Sequence, residues 1–581
     1  MVMDSIIHDS QTAFMTGRSI HDNILMTHEL IRGYNRKHIS PRCTIQIDLQ
    51  KAYDTVCWDA LETIMAELSF PNQFIEWIML AVRSVSYRYL VNGQVSDILK
   101  AKRGLRQGDP VSPLLFVLVM EYLHRCMMEL KENKDFKYHP RCAKLNITNI
   151  CFADDLMLFA RGDVLSVKTM MCTFNKFSEE TGLKANPDKC KVFFGGTDYD
   201  IQHAIRVATG CVEGTLPIRY LGVPLTSRKL SVIQCQPLID KMVERIQHWS
   251  VKFLSYAGRQ QLVQSVLMSI SSYWMSVFPL PKKIIQKIEA LCRNFLWSAK
   301  TDGRKALVAW EHLCEPRNAG GLNFKKLLFW NRATIMKLLW NIHNKNDKLW
   351  IRWLDIYFMK GNPILTWPVK HTSSWMMNCV LKCRIYTHNN EAWESANTMK
   401  RFDTATVYRS ICGESNKVPW KHLFYQNHAR PRAKFILWLA LWGRLGTKDR
   451  LEKIGINHDK HCCFCLQHET INHLFFDCAF TGFVWRNLLS WNGYLRQVAD
   501  WDKEKKWLFA ELGKKGWRRE FLRVTLTETV YHIWKDRNEI LFKDRSPNLD
   551  VIRRIIDSVI SRCLLARNLQ NHINASRDSI S

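Results

Sequence analysis

Long apolar runs are missing from this chain of 581 residues, which also has no tandem repeat and no low-complexity block. The longest apolar stretches, such as 435–442, fall far short of the about 18 residues that span a membrane, so we expect no membrane partner. Asp4 and Asp9 interrupt any charged-then-apolar pattern at the N-terminus, so we expect no secretory leader. We therefore expect an intracellular protein, nuclear or cytoplasmic, whose 19 cysteines are reduced thiols or metal ligands.

Acidic residues are few in comparison with basic ones, at 54 Asp and Glu against 83 Lys and Arg, which leaves a net charge of +29. Hydrophobic residues make up 47% of the chain, enough for several packed cores, so wholesale disorder is excluded. A chain this basic is typical of proteins that bind a polyanion.

The first third of the sequence predicts a sheet with helices. Residues 42–49 alternate polar and apolar side chains, which predicts a strand whose polar face ends at Asp48. Residues 147–159 predict two short strands joined by a turn at Asp154-Asp155. Helical spacing at 56–68, 113–122 and 166–180 and a strand at 189–194 complete the order. This order predicts an α+β fold with a split βαβ sheet and helices on one side.

Three carboxylates are expected to converge at the ends of these strands. If the strands are neighbours, Asp48 and Asp154 face each other, and Asp155 lies beside them. Carboxylates this close repel one another unless cations neutralise them, and oxygen ligands of this kind suit Mg²⁺. The dipeptide taken alone is more typical of an ordinary turn, because Asp favours turns.

The carboxylates belong to a longer ordered set of segments. In chain order these are Gln11–Arg18 with Asp22-Asn23, Asp48–Asp54, Arg103–Pro110, Phe152–Asp155, Gly182–Lys189 and Tyr220–Gly222. Together they resemble the fingers and palm motifs of reverse transcriptases, most closely those of plant non-LTR (LINE-type) retrotransposons. The resemblance implies a right-hand polymerase palm with partial fingers, in which Asp48 and Asp154, assisted by Asp155, hold two Mg²⁺ ions.

The same resemblance implies a nucleotide pocket formed by Arg18, Tyr53, Gln107, Gly108 and Lys189. Tyr53 would exclude a 2′-hydroxyl and so select deoxynucleotides, and Gln107 and Gly108 would line the pocket. Arg18 would clamp the triphosphate, and Lys189 would act as general acid for the leaving pyrophosphate. For three of these residues a role without function stays open as the alternative. Tyr53 is then a core tyrosine, Arg18 a surface arginine and Lys189 an exposed lysine. Lys184 and Lys191 compete with Lys189 for the role of general acid.

A second cluster follows the spacing Cys462-x₂-Cys465-x₇-His473-x₄-Cys478. Three thiolates and one imidazole form a closed tetrahedral set for one structural Zn²⁺. The cluster, with Pro431–Trp438 upstream, resembles the zinc-binding domain of these reverse transcriptases. His461 and Cys463 are spare ligand candidates, and the alternative is a group of merely reduced cysteines.

The segments between the two sites contain further likenesses to plant LINE proteins. These are Tyr256–Arg259, Phe295–Trp297, Val308–Trp310 and Gly320–Leu322, although most of their apolar residues are equally typical of a helical core. We predict partial fingers and palm over 1–226, a thumb-like helical region over 227–300, a connector over 301–417, the zinc-binding domain over 418–500 and a basic helical tail over 501–581.

The favoured function is an RNA-directed DNA polymerase of a non-LTR retrotransposon, with an RNA template, a DNA primer and dNTPs as partners. The alternative is a truncated, catalytically poor element product that retains nucleic-acid and zinc binding. A maturase-like RNA-binding protein is disfavoured by the zinc cluster. The resemblance also implies that an endonuclease function would have to come from another polypeptide.

Overall fold

The chain divides into two compact units, each assembled from separate stretches of sequence. The computed structural model describes residues 2–36, 38–249, 254–298, 301, 306–369, 373–423, 427–456, 459–514, 516–543 and 545–564. The first unit contains Met1–Pro237, Ser272–Ile284 and Phe329–Ile411, and the second contains Leu238–Ser271, Ile285–Leu328 and Cys412–Ser581. The predicted linear boundaries stay predictions, and the end of the predicted tail, 565–581, lies outside the described residues.

The strands lie in the first unit. They are β1 Arg42–Asp48, β2 Ser86–Tyr87, β3 Leu90–Val91, β4 Gln94–Val95, β5 Leu99–Lys100, β6 Asn149–Phe152, β7 Asp155–Arg161, β8 Lys191–Gly195, β9 Val212–Glu213, β10 Ile218–Tyr220 and β11 Val223–Leu225. Five of them form one sheet in the order β6-β7-β1-β8-β9. β1 is antiparallel to both β7 and β8, while β8 and β9 are parallel. The remaining six form three two-stranded ladders, β2-β5, β3-β4 and β10-β11.

The helices of the N-terminal half belong partly to the first unit and partly to the second. They are α1 Val2–Ile6, α2 Ile20–Leu30, α3 Ala52–Thr55, α4 Trp58–Glu67, α5 Asn72–Arg83, α6 Ser112–Glu129, α7 Val164–Thr181, α8 Tyr199–Thr209, α9 Gln236–His248, α10 Tyr256–Leu262, α11 Met268–Val277 and α12 Lys282–Ser298. Phe116 on α6 and Phe174 and Phe177 on α7 are fully buried in the same core as Ile45 of β1. The predicted α+β fold with a split βαβ sheet is confirmed.

The polar side chains of β1 are more buried than the alternating sequence pattern suggests. Thr44 is fully buried, and its hydroxyl lies 2.6 Å from the hydroxyl of Tyr34. The Gln46 amide donates to the carbonyl of Arg219 at 3.2 Å. Gln46 and Asp48 are only partly buried, so this polar face opens to solvent toward the end of the strand.

The regular elements of the C-terminal half are helices, with no named strand among the described residues. Its helices are α13 Trp310–Cys314, α14 Leu327–His343, α15 Leu349–Leu354, α16 Trp375–Lys382, α17 Glu391–Thr398, α18 Thr404–Cys412, α19 Pro431–Leu441, α20 Lys448–Lys453, α21 Ala479–Trp491, α22 Trp501–Leu512, α23 Trp517–Lys543 and α24 Asp550–Leu564. No helix among the described residues is both long and apolar enough to span a membrane.

Helix α23 is a central element of the second unit rather than part of a solvated tail. Glu528 on α23 is fully buried and forms an ion pair with Arg430. Arg537, also on α23, donates to the carboxylate of buried Glu469 at 2.6 Å. A buried charge is tolerated only when it is paired, so these two pairs explain how a basic segment forms the core of this unit.

Candidate active site and metal centre

The three predicted carboxylates come together where β1 ends beside the β6-β7 turn. Cross-strand register places Asp48 directly opposite Asp155, and Phe152 of β6 also pairs with Asp155. Asp154 lies in the turn between, after Ala153 with a left-handed φ of 53°. The direct cross-strand partner of Asp48 is therefore Asp155, and not Asp154 as the sequence suggested.

Desolvation and the two neighbouring carboxylates both disfavour the ionised form of Asp155 at this turn. Burial, followed by the negative charges of Asp154 and Asp48, raises the pKa of Asp155 to about 6. A cation held among the three would relieve this repulsion and favour the ionised forms. The donor set, oxygen only and partly open to solvent, therefore fits a hard divalent cation such as Mg²⁺.

Tyr53 lies on α3, the short helix that follows β1, and is close enough to Asp154 to be affected by its charge. Its ring stacks on Phe116 with centroids 4.9 Å apart and planes 17° apart. Burial, and then the charge of Asp154, raises the pKa of the Tyr53 hydroxyl. Phe116 of the core thus fixes the Tyr53 ring beside the carboxylate site.

The glycine-bearing loop 103–109 is pinned to the same segment. The Leu105 amide donates to the Tyr53 carbonyl at 2.6 Å, and the Gly104 amide donates to the Val56 carbonyl at 2.8 Å. The Trp58 indole donates to the Gly104 carbonyl at 2.7 Å. The loop carries Gln107 and Gly108, both exposed, and Gly108 has a φ of 89° with open space where a Cβ would lie.

Gly104 allows the loop to pack closely against the Asp54 backbone, and a substitution at Gly104 tests this packing. A Cβ at Gly104 would lie 2.6 Å from the Asp54 carbonyl oxygen, and φ there is 89°, so both sterics and backbone conformation oppose a side chain. We expect Gly104→Ala to speed hydrogen exchange of the Gly104 and Leu105 amides by about ten-fold or more, as expected for a loss of about 1.4 kcal/mol. Peptide-resolved exchange mass spectrometry measures this directly.

Gly93→Ala is the matched control for this substitution. Gly93 also has a positive φ, 83°, but nothing lies within 4 Å of its Cβ position. We expect its effect to stay local to the β3-β4 turn, with the exchange of residues 103–109 unchanged. Equal protection of the loop in Gly104→Ala and wild type would contradict the packing of the loop against Asp54.

Lys189 is the lysine that the structure brings to the carboxylates. Its Nζ lies 3.8 Å from Oδ1 of Asp48. The segment that carries it runs beside the end of β1, because the Asn186 amide donates to the Asp48 carbonyl at 2.8 Å. No ion pair of Lys184 or Lys191 with Asp48 is found among the described residues, so the geometry favours Lys189 among the three competitors.

Arg18 is occupied by structural contacts. Its guanidinium donates to the carbonyls of Ile7, His8 and Gln11 at 2.6–2.7 Å, and it lies 3.4 Å from Asp9. These contacts hold the loop at 7–11. The triphosphate role for Arg18 stays a prediction, and the structure gives the side chain a second, local task.

The predicted zinc ligands form one cluster in the second unit. The ligand atoms of Cys462, Cys465, His473 and Cys478 all lie within 4.8 Å of one another. The Cys465 Sγ is 3.0 Å from Nε2 of His473, so Nε2 is the imidazole atom that faces the thiols. Such a compact set of three sulfurs and one nitrogen fits tetrahedral Zn²⁺.

Local backbone geometry prepares this cluster. The Cys462 amide donates to the Gln467 carbonyl at 2.5 Å across a tight turn, in which Leu466 has a φ of 64°. His473 begins a π-helical turn, His473–Asp477, and its Nδ1 lies 3.7 Å from the Asp477 carboxylate. A carboxylate on the second ring nitrogen orients a ligating histidine.

The two spare ligand candidates lie outside this cluster. His461 Nδ1 is engaged by the Asp459 carboxylate at 2.6 Å, and Cys463 is not a member of the four-residue group. The geometry therefore favours the four residues that the spacing predicts.

Sequence reasoning placed Gly104 and Gly182 within family-like segments, but it missed Trp58 and the contacts by which these three residues support the site. Trp58 and Gly104 join the loop to α4, and Gly182 ends α7 against the Thr55 carbonyl, which would lie 2.6 Å from a Cβ at that glycine. The only local signal was a glycine after a helix or in a loop, which does not reveal its distant neighbour.

Comparison with protein families agrees with these two sites. Residues 1–225 match the family described as "Reverse transcriptase (RNA-dependent DNA polymerase)", and residues 402–485 match "zinc-binding in reverse transcriptase". The chain thus contains a reverse transcriptase domain and a zinc-binding domain of reverse transcriptases. It is a homologue of the Pol proteins of non-LTR retrotransposons, and the plant subgroup stays a prediction.

Two curated relatives illustrate this relationship, and one solved structure is given beside them as a partial similarity. The Pol polyprotein of the R2 element of Popillia japonica is 28% identical over 55% of this chain and 51% of its own length. The 149 kDa protein of transposon TX1 from Xenopus laevis is 25% identical over 52% of this chain and 23% of its own length. Telomerase from Candida tropicalis, solved with a fragment of telomeric RNA, aligns with 60% of this chain and 53% of its own at 14% identity and a TM-score of 0.28. The chain thus matches about half of the length of the R2 relative and about a quarter of the length of the TX1 relative.

Proposed function

We propose that this chain is an RNA-directed DNA polymerase that extends a DNA primer on an RNA template. The observation that carries the proposal is the meeting of Asp48, Asp154 and Asp155 at the end of β1, within the reverse transcriptase domain. The reaction is attack of the primer 3′-hydroxyl on the α-phosphate of a dNTP. A phosphodiester bond forms, and the bond to the leaving pyrophosphate breaks.

The carboxylates are proposed to hold two Mg²⁺ ions. Asp48 and Asp154 would be the main ligands, with Asp155 assisting. Bound magnesium would supply positive charge to the attacking and leaving oxygens of an in-line displacement. The repulsion among the three carboxylates supports this assignment, because it gives the site a reason to take up cations.

The neighbouring side chains are proposed to orient the nucleotide. Tyr53, supported by Phe116, would place its ring where a 2′-hydroxyl would otherwise lie. Lys189, next to Asp48, would donate a proton to the pyrophosphate oxygen. Gln107 and Gly108 would approach the nucleotide from the loop that is fixed against Tyr53.

The second unit is proposed to bind one structural Zn²⁺ through Cys462, Cys465, His473 and Cys478. A closed site of this kind has no open position for substrate, so it stabilises the fold and does no chemistry. The cellular location, nuclear or cytoplasmic, stays a prediction.

Primer extension on an RNA template tests the polymerase proposal. We expect the purified full chain to extend an annealed DNA primer with dNTPs and Mg²⁺, and to extend it poorly with rNTPs because of Tyr53. The product should resist alkali and be degraded by deoxyribonuclease. No extension, with RNA binding retained, would instead support a catalytically poor element product.

A further inference from the structure

Two of the segments after the palm that resemble LINE proteins, Tyr256–Arg259 and Gly320–Leu322, contribute to one cleft of the second unit. Residues of α10, of the Gly320–Leu322 segment and of α19 line a cavity of about 190 Å³. The lining residues used below are Gln260, Gln261, Arg317, Lys434, Phe435 and Trp438. No acidic residue lines this cleft, which we call the thumb cleft.

Two cations in the thumb cleft lack a counter-charge. The Arg317 side chain is exposed and forms no hydrogen bond or ion pair with any residue that the structure describes. The Lys434 ammonium is half-buried and donates to the Asn427 carbonyl at 3.2 Å. Burial, and then the charge of Arg317, lowers the pKa of Lys434, which shows that the two cations are close enough to repel.

The aromatic residues of the cleft are packed against the protein, so their ring faces are not free to stack on a base. Trp438 is 1% exposed and Phe435 is 4% exposed. The Trp438 indole donates to the Gly320 carbonyl at 2.7 Å, and Phe435 stacks on Tyr256 at 5.1 Å. Base recognition by stacking needs an accessible ring face, so the cleft offers charge and amide donors only.

The Arg259 guanidinium stabilises the packing of the Tyr256–Arg259 segment. It donates to the Leu296 carbonyl at 3.0 Å and lies 4.6 Å from the centre of the Tyr256 ring. Gln264 donates to the Leu322 carbonyl at 2.8 Å. These contacts join α10 to α12 and to the glycine segment, and the Trp438–Gly320 hydrogen bond joins α19 to the same segment.

We propose that the thumb cleft binds a phosphodiester group of a nucleic-acid backbone through Arg317 and Lys434, without reading base sequence. The Gln260 and Gln261 amides would add neutral donors to the same oxygens. Phosphate contacts position a nucleic acid and carry no sequence information. The choice of nucleic acid as ligand rests on the proposed polymerase function, whereas the cleft itself is defined by its two cations.

Salt-dependent binding of the full chain tests this proposal. The variant Arg317→Gln/Lys434→Met removes both charges with similar side-chain length, and binding is measured by fluorescence anisotropy on a labelled RNA–DNA primer–template. We expect several-fold weaker binding for two unrelated sequences alike, and a slope of log Kd against log salt that is lower by about 1.

The control variant is Arg486→Gln/Lys506→Met, which removes the same two charge types from exposed positions on α21 and α22. We expect it to leave the salt slope within error of the wild type. An equal change in both variants would assign the effect to net charge and overturn the proposal. Since binding is read without synthesis, a chain that fails to extend primers can still pass this test.

A second measurement uses the wild-type chain and so does not depend on the folding of any variant. Acetylation of Lys434 by an N-hydroxysuccinimide ester is followed by mass spectrometry, without ligand, with the primer–template and with inorganic phosphate. We expect the primer–template to protect Lys434 and phosphate at the same phosphorus concentration to protect it weakly. Protection by free phosphate alone, or by neither, would overturn the nucleic-acid assignment.

Discussion

Replacing Asp154 by asparagine should abolish primer extension and leave template affinity within about three-fold. The substitution keeps the size of the side chain but removes one of three negative charges at the end of β1, where the cations of the reaction are proposed to bind. Loss of a single preorganised electrostatic partner costs about 10²–10³-fold in rate, and loss of a metal ligand should reach at least the upper end. Steady-state extension and anisotropy on the same primer–template measure the two quantities.

The control for this substitution is Asp200→Asn, which removes an equal charge from an exposed position in the first turn of α8. Its extension rate should stay within about two-fold of the wild type, as is usual for surface changes. If Asp154→Asn lost binding and synthesis in equal measure, the fold rather than the chemistry would have failed. If it kept full activity, the carboxylate proposal would be wrong.

Removal of one zinc ligand should have the second large effect, on the stability of the second unit. We expect about one Zn²⁺ per chain in protein purified without chelator, and none in Cys465→Ser. Structural zinc contributes about 10–16 kcal/mol of binding free energy in zinc-finger peptides, so residues 461–478 should lose their protection from hydrogen exchange and proteolysis in the variant. Metal analysis and limited proteolysis measure both outcomes.

Cys463→Ser is the adjacent control, because Cys463 neighbours the cluster in sequence but is not one of the four grouped residues. It should retain one Zn²⁺ and a wild-type proteolysis pattern. Zinc lost equally from both variants would point to a different ligand set. Absence of zinc from the wild type, with folding unchanged in Cys465→Ser, would refute the zinc centre.

The sequence alone predicted the order of the main elements of the sheet and its helices, and it grouped the residues proposed for both sites. Alternation over 42–49 and helical spacing over 166–180 are local patterns, and the observed β1 and α7 follow them. The zinc cluster could also be predicted from the sequence, since all four residues lie within 17 positions, Cys462 to Cys478, and the spacing of ligands is itself a local property.

Cross-strand register was decided only in the folded chain. The prediction that Asp48 faces Asp154 was wrong by one residue, because the turn contains Ala153 in a left-handed conformation and β7 begins at Asp155. A shift of one residue exchanges the two faces of a strand, and no pattern within a single strand determines its register with another.

Long-range contacts decided the remaining features. The sequence predicted a polymerase palm through its resemblance to reverse transcriptases, and a zinc cluster and a polyanion-binding chain through residue type and local spacing. Tertiary structure decided that Arg18 holds a loop, that Gly104 meets Asp54, that α23 is buried, and that Arg317 lies near Lys434. The physical reason is that packing, charge pairing and steric fit depend on neighbours that are distant in sequence, whereas periodicity and ligand spacing do not.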